Sequence, residues 1–409
     1  MNDVTQPERG RGTMLAVVAT LAALVALLAF APFASAASDP LASGTTTLTL
    51  NTGMFKKLRK AGVKVQGVNP ATVKVRVVSL PVSGGSLDPA TGLGIVEHSG
   101  GIKFKHGKKK AIVNTIVLET TTSSLKAKVA GKSMKLATVK GTTVARNGFG
   151  ANVTVNGLKL TGKAAKQLNK KLGFTGKKNG KKIKPLFKAN QNLGGTVSET
   201  QPKTVTVQAG GSTSLTLSPA ALQKLAKVGP PPGEGEGPFA VKLSVIPPTT
   251  IVSPGPPPTV GFPISGGTIA PNATSGIVQT SGGLKLTQNL EAVGKGETTL
   301  TMGNIWLDLG AKTATVEVTI ENPKTPEANL GNLGRSSIAD IQLTGATITS
   351  NPVTRTVSVQ NGTATLQAVT AETLNSVFIT PIEKATAEPQ EKFAAGDPLG
   401  TFSFTAQTQ

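Results

Sequence analysis

GGSLDPATGLGIVEHSGGIKF, Gly84 to Phe104, returns 182 residues later as GGTIAPNATSGIVQTSGGLKL, Gly266 to Leu286. Aligned without a gap, 10 of the 21 positions are identical, among them both leading glycines, Pro89/Pro271, Gly94/Gly276 and the Ser-Gly-Gly triplets. Paired glycines supply backbone angles that bulkier residues resist. Short alternating runs around Ile95, Ile102 and Phe104 supply strand faces. Both copies therefore read as a turn-rich hairpin, and the chain as a tandem repeat of one β-rich domain.

A finer repeat surrounds these hairpins. TLTLNTGMFKKLRKAG (47–62), LKLTGKAAKQLNKKLG (158–173), SLTLSPAALQKLAKVG (214–229) and ATLQAVTAETLNSVF (364–378) each run from a short strand into a short helix. Leu50, Leu160, Leu217 and Leu366 have a leucine eight residues on, at Leu58, Leu168, Leu225 and Leu374, and an apolar residue five on, at Phe55, Ala165, Leu222 and Ala371. The second and third of these positions share a helical face. Ser218-Pro219 reads as a helix start, and Gly62, Gly173 and Gly229 as stops. The tails repeat as well, with Phe187, Ala189, Leu193 and Gly194 spaced as Phe393, Ala395, Leu399 and Gly400.

The pattern predicts one domain over 44–200 and a second over 209–409. The second carries a Pro- and Gly-rich insertion, 230–263, whose composition favours an extended, solvated spacer. Between the helices, alternating β-branched runs such as VKVRVVSL (73–80) and TATVEVTI (313–320) read as strands. The expected fold is mostly β: two tandem domains, sandwich-like or open barrels, with short helices at their ends.

Charge is divided unevenly. Residues 37–200 hold 29 Lys and Arg against 5 Asp and Glu, a net of +24, while 201–409 hold 12 against 14, a net of −2. Cysteine and tyrosine are absent, which excludes disulfides, thiolate metal sites and thiol catalysis. Met1–Ala36 has the form of an export signal: Arg9 and Arg11, the apolar run Met14–Phe33, then the small residues Ala34-Ser35-Ala36. Cleavage after Ala36 is the expectation. The rival reading is an uncleaved anchor, the only membrane contact the sequence offers. A secreted or cell-surface location follows.

Catalytic signatures are missing: the chain has no GxSxG elbow, no phosphate-cradling loop and no HExxH helix. Glu97 and His98 point to opposite faces of a strand, so they form no dyad. The chain reads as a binding protein, not an enzyme. Its two histidines, His98 and His106, lie in the first hairpin, and Thr280 and Gln288 take their places in the second. Basic runs at Lys108–Lys110 and Lys177–Lys184 lack the interleaved aromatics of nucleic-acid readers. An anionic small ligand or a cell-wall polyanion is the expected partner, and nucleic acid is not.

The order of strand-helix, GG–turn–GxG–GGxxF hairpin, closing strand-helix and Phe-x-Ala-x(3)-Leu-Gly tail resembles the Htaa, or haem-transport-associated, domain, once in each half. Gly100-Gly101-Ile102-Lys103-Phe104-Lys105-His106-Gly107 is the most specific part. The resemblance implies a β-rich extracellular domain that binds haem through a helix tyrosine supported by a histidine. By position, His106 is the implied iron-site histidine. Phe55 and Leu58 occupy the tyrosine's helix, and the chain has no tyrosine. Met54, Phe55, Phe104, Lys103, Lys105 and His98 complete the candidate ligand-binding set, with the lysines meeting propionates and haem the candidate cofactor. The alternative is a structural or adhesive surface protein whose basic first domain grips anionic wall polymers.

Overall fold

The computed structural model describes residues 38–178, 181–229, 239–326 and 329–409. The expected signal, Met1–Ala36, with residues 179–180 of the second basic run and 230–238 of the insertion, lies outside these. The fold is mostly β.

In the first half the strands are β1 (Asp39–Leu50), β2 (Val63–Val68), β3 (Thr72–Lys74), β4 (Val77–Leu87), β5 (Gly94–His106), β6 (Lys109–Glu119), β7 (Ser124–Val129), β8 (Lys132–Asn147) and β9 (Gly150–Leu160). Lys177–Lys178 (β10) and Lys181–Lys182 (β11) form a separate ribbon, and β12 spans Gly194–Pro202. Eight of them close into a ring, β5-β6-β7-β8-β9-β12-β1-β4, because β4 pairs back onto β5. Sandwich and open barrel were both compatible with the sequence pattern; the sheet is a closed barrel. A ring of about eight strands has an interior just wide enough for side chains to fill. Here Val78, Val96, Leu118, Val153 and Leu158 do so, none more than 1% exposed.

The second half repeats this order. After β13 (Val205–Thr206) come β14 (Ser212–Leu217), β15 (Lys242–Ile246), β16 (Thr250–Ser253), β17 (Thr259–Ile269), β18 (Gly276–Thr280), β19 (Gly283–Asn289) and β20 (Glu297–Asp308). They are followed by β21 (Thr313–Glu321), β22 (Gly331–Gln342), β23 (Thr347–Asn351), β24 (Thr356–Leu366) and β25 (Pro398–Gln407). The ring is β17-β14-β25-β24-β22-β21-β20-β18, closed by β17 on β18. The closing hairpins match residue for residue. Leu87 faces Gly94 and Gly85 faces Val96 in the first, as Ile269 faces Gly276 and Gly267 faces Val278 in the second. A Cβ on Gly85 would stand 2.1 Å from the Ile95 carbonyl, and one on Gly267 2.0 Å from that of Ile277. Only glycine permits so close a crossing, so the paired glycines of the sequence mark where each barrel closes.

The insertion expected to be a spacer contributes ordered strands. β15 pairs with β19, as β2 pairs with β5, and β16 lies along β17. Leu243 and Val245 alternate toward the apolar interior, which a solvated spacer would not require.

Four helical segments cover the barrel ends. α1 (Thr52–Lys60) is capped by Asn51, whose side chain accepts from the Met54 N–H, and it buries Met54 and Leu58. α2 (Gly162–Leu172) is capped by Thr161 and stopped by Gly173 in the left-handed conformation. α3 (Pro219–Ala226) starts at Pro219 but buries none of its residues fully, and it ends before Gly229. The fourth segment runs beyond Phe378: α4 (Ala368–Leu374) passes through a π-helical turn, Asn375–Ile379, into α5 (Thr380–Thr386). Phe149, at the β8–β9 turn, is buried in the apolar cluster of the second barrel, and Thr206 donates its N–H to Asp39 at 3.1 Å across the same seam.

Candidate functional site

The β5–β6 turn, the end of α1 and the end of α2 meet at one rim of the first barrel, and His106 sits where they meet. Its Nδ1 lies 2.9 Å from the Leu172 carbonyl, at the C-terminus of α2. A carbonyl only accepts, so Nδ1 carries the proton, and in the neutral ring the lone pair is on Nε2. Among the described residues no protein group bonds Nε2. The ring stacks on Phe174 at 4.6 Å between centroids. A Cβ on Gly107 would meet nothing within 4 Å, so the flank of the turn is open. An imidazole held through one nitrogen by a carbonyl, with the other nitrogen presented, is how proteins orient a histidine toward a metal. The same contact also caps α2, whose dipole favours the cations around it.

His98 lies elsewhere. It is buried inside the barrel with both ring nitrogens engaged: Nδ1 donates to the Ile116 carbonyl at 3.0 Å, and Nε2 faces Thr46 Oγ1 at 2.6 Å. Thr46 Oγ1 also lies 2.8 Å from Ser198 Oγ. Burial pushes the imidazole below its ordinary value of 6.5, against the bond to Ile116. The second barrel shows what this position does. Thr280 replaces His98 and donates to the Ile305 carbonyl at 2.9 Å, the counterpart of Ile116. In the first barrel this lies where the β5–β6 register shifts, between His98 and Gly101. The side chain ties the two strands together beside that irregularity.

The structure thus separates the sequence candidates. Met54 is buried and accepts a hydrogen bond on sulfur from Gln191. Phe104 is buried edge-on to Phe187, with ring centroids 5.7 Å apart. The cavities that Met54, Phe104 and His98 line measure about 30 and 20 Å³, too small for any ring. Phe55 is half-buried on α1, Lys103 is half-buried and Lys105 is exposed. His106 and the lysines beside it are therefore at the rim, apart from His98, Met54 and Phe104.

Around His106 the outer face is strongly cationic. Lys64, Lys105 and Lys110 stand directly opposite one another across β2, β5 and β6, and His106 faces Lys109. Like charges placed directly across strands destabilise a sheet. Among the described residues of this barrel the one ion pair joins Lys126 to Glu119. Glu97 is exposed while His98 is buried. The described residues contain no group of three or more acidic or histidine side chains placed to hold a metal, and none of their helices is long and apolar enough to cross a membrane.

One repeated device escaped the sequence reading. Asn169 on α2 donates to the Phe187 carbonyl at 2.8 Å and accepts from the N–H groups of Leu186 and Phe187 at 3.0 Å. Asn375 does the same with Phe393, at 2.8 Å in both directions. The available signal was the Leu-Asn pair shared by 168–169 and 374–375, which precedes the repeated phenylalanine by a constant interval. Gln288 likewise follows His106: it donates to the Phe378 carbonyl at 3.1 Å, as His106 donates to that of Leu172. Gln288 is wholly buried, whereas His106 is not.

No protein-family model matches the chain, and no curated protein matches it. Among solved structures, the C-terminal domain of HtaA from Corynebacterium glutamicum is similar at 11% identity, over 49% of this chain and 98% of that domain, with a TM-score of 0.31. The heme binding protein HtaB from Corynebacterium glutamicum is similar at 12% identity, over 50% of this chain and 96% of that protein, with a TM-score of 0.33.

Proposed function

We propose that the chain is an exported cell-surface binding protein whose first barrel captures an anionic, planar ligand of the haem class at the His106 rim. The observation that carries this reading is the His106 ring, fixed through Nδ1 by the Leu172 carbonyl with Nε2 unbonded by the described protein groups. His106 suits haem iron in type, and a Cβ on Gly107 beside it would meet nothing within 4 Å. Lys109, opposite His106 across β5 and β6, supplies charge that a propionate needs, and Lys105 adds charge from the other face of β5. The barrel interior does not fit the group, because the cavities there measure only about 20 and 30 Å³. With no tyrosine in the chain, phenolate ligation is excluded, and His106 is the ligand this reading depends on. Bound haem would supply a Soret band to read. Hemin titrated into the mature chain should shift that band, His106→Ala should abolish the shift, and His98→Ala should preserve it as long as the barrel stays folded. A wild-type chain that gives no shift, or a His106→Ala variant that keeps it whole, overturns the reading.

The facing lysines Lys64, Lys105 and Lys110 favour a second reading, adhesion to anionic wall polymers. Exposed charges are screened beyond roughly 8 Å at physiological salt, so retention on an anionic matrix should fall steeply with ionic strength. Replacing the three lysines by glutamine should weaken retention. Salt-independent retention would remove this alternative.

A further inference from the structure

The second barrel departs from the first at one end, in three places at once. The Gly107–Lys108 turn between β5 and β6 becomes Leu290–Gly296 between β19 and β20. The Ala130–Gly131 turn becomes a longer connection between β21 and β22, described at residues 322–326 and 329–330. The helix that stops at Leu172 in the first barrel runs on, through the π-helical turn at Asn375–Ile379, to Thr386. These three extensions are far apart in sequence, yet together they wall a cleft of about 830 Å³. Nothing of that size is required to pack a barrel end. The first barrel covers the same end with shorter turns. π-Helical turns are costly and gather at functional sites.

The chemistry of the walls narrows the occupant. Val293, Leu330, Val377 and Pro381 line the cleft, and Leu330 is 53% exposed. Lys295 and Lys384 are the charged side chains among the residues lining it. Of the carboxylates near them in sequence, Glu291 pairs with Lys324 and Glu383 with Lys392, while Glu297, two residues from Lys295, forms no ion pair with it. Lys295 and Lys384 have no carboxylate partner among the described residues, in a half of the chain whose net charge is −2. The lining residues include no aromatic ring to stack a planar ligand and no His or Met to hold a metal. The volume lies within the roughly 300–1,000 Å³ of ordinary small-molecule sites.

We propose that this cleft binds an aliphatic carboxylate of the fatty-acid class, its chain against Val293, Leu330, Val377 and Pro381 and its carboxylate met by Lys295 and Lys384. This is independent of ligand capture by the first barrel. The test is fluorescence of a dansyl-labelled undecanoate added to the full chain, followed by displacement with dodecanoate. Fluorescence should rise on binding and fall as dodecanoate displaces the probe. Ala385→Trp, which fills the cleft from an exposed lining position, should abolish binding with the circular-dichroism spectrum unchanged. The double variant Lys295→Ala/Lys384→Ala should weaken dodecanoate about tenfold, as two rim charges at under 1 kcal/mol each imply. Absence of binding, or binding untouched by Ala385→Trp or by loss of both lysines, overturns the proposal. His106→Ala should leave this binding intact, which separates its failure from that of the haem reading.

Discussion

Replacing His98 by Ala and by Thr should give two different stabilities, and the repeat within the chain says why. In His98→Ala the Ile116 carbonyl loses its side-chain donor and Thr46 loses the ring nitrogen it faces. A buried polar group left without a partner costs about 1–3 kcal/mol, and the void adds a term near 24 cal/mol per Å³. Together these give roughly 3–4 kcal/mol of destabilisation for Ala. His98→Thr copies what the second barrel does at this position, where Thr280 donates to the Ile305 carbonyl at 2.9 Å from the same place in the strand pair. It should recover about 1–2 kcal/mol of the loss by restoring one bond. Urea unfolding followed by circular dichroism at pH 8 measures both variants. The single tryptophan, Trp306, lies in β20, so its fluorescence reports separately on the second barrel and should change little. The pH dependence gives a further check. Burial lowers the folded imidazole's value below 6.5, so below that pH the unfolded chain binds more protons than the native one. His98 stability is therefore complete above about pH 6.5 and falls as pH drops toward the folded value. Both variants should lack that loss. Equal stability of Ala and Thr, or an acid slope unchanged in either, would refute the reasoning.

Asp39 has the opposite sign. Burial raises its carboxyl from 3.8 to about 6, against the bonds from the Thr206 N–H and hydroxyl and the charge of Arg146, and its Oδ2 has no partner. Between these two values the native state binds more protons than the unfolded one, so this group's contribution falls as pH rises from about 4 to 6. Asp39→Asn should gain about 2 kcal/mol at pH 7.5, after allowing for solvent screening at the seam, and close to nothing at pH 4. Paired urea titrations at the two pH values check this, and a gain of the same size at both would count against it. Asn169→Ala and Asn375→Ala should each cost about 2–3 kcal/mol by stranding buried backbone groups. Amide exchange should accelerate at Phe187 in the first variant and at Phe393 in the second. Acceleration spread evenly over the whole barrel, with none concentrated at these residues, would contradict a local clamp.

The sequence by itself determined the repeat, the hairpins and most of the helices. These are local properties: alternation along Ile102 and Phe104, close-approach glycines at Gly85 and Gly267, Leu50 followed by Leu58. Each is set by backbone stereochemistry and by which side of one element is apolar, and both are legible within a short window. Ring closure was not legible, because it depends on β4 and β17 each pairing on both edges, with strands from distant parts of the chain. Nor could the sequence separate His98 from His106. The two lie in one strand, on either side of a register shift, and only the strand paired beside them places one within the barrel and the other at its rim. The insertion was misleading for a related reason: its proline and glycine content describes an isolated chain, while β15 is a strand because β19 offers it an edge. The cleft of the second barrel is the extreme case. The segments at 290–296, 322–326 and 375–386 each look like an ordinary loop or helix end, and only tertiary packing, by bringing all three to one rim, encloses a volume between them.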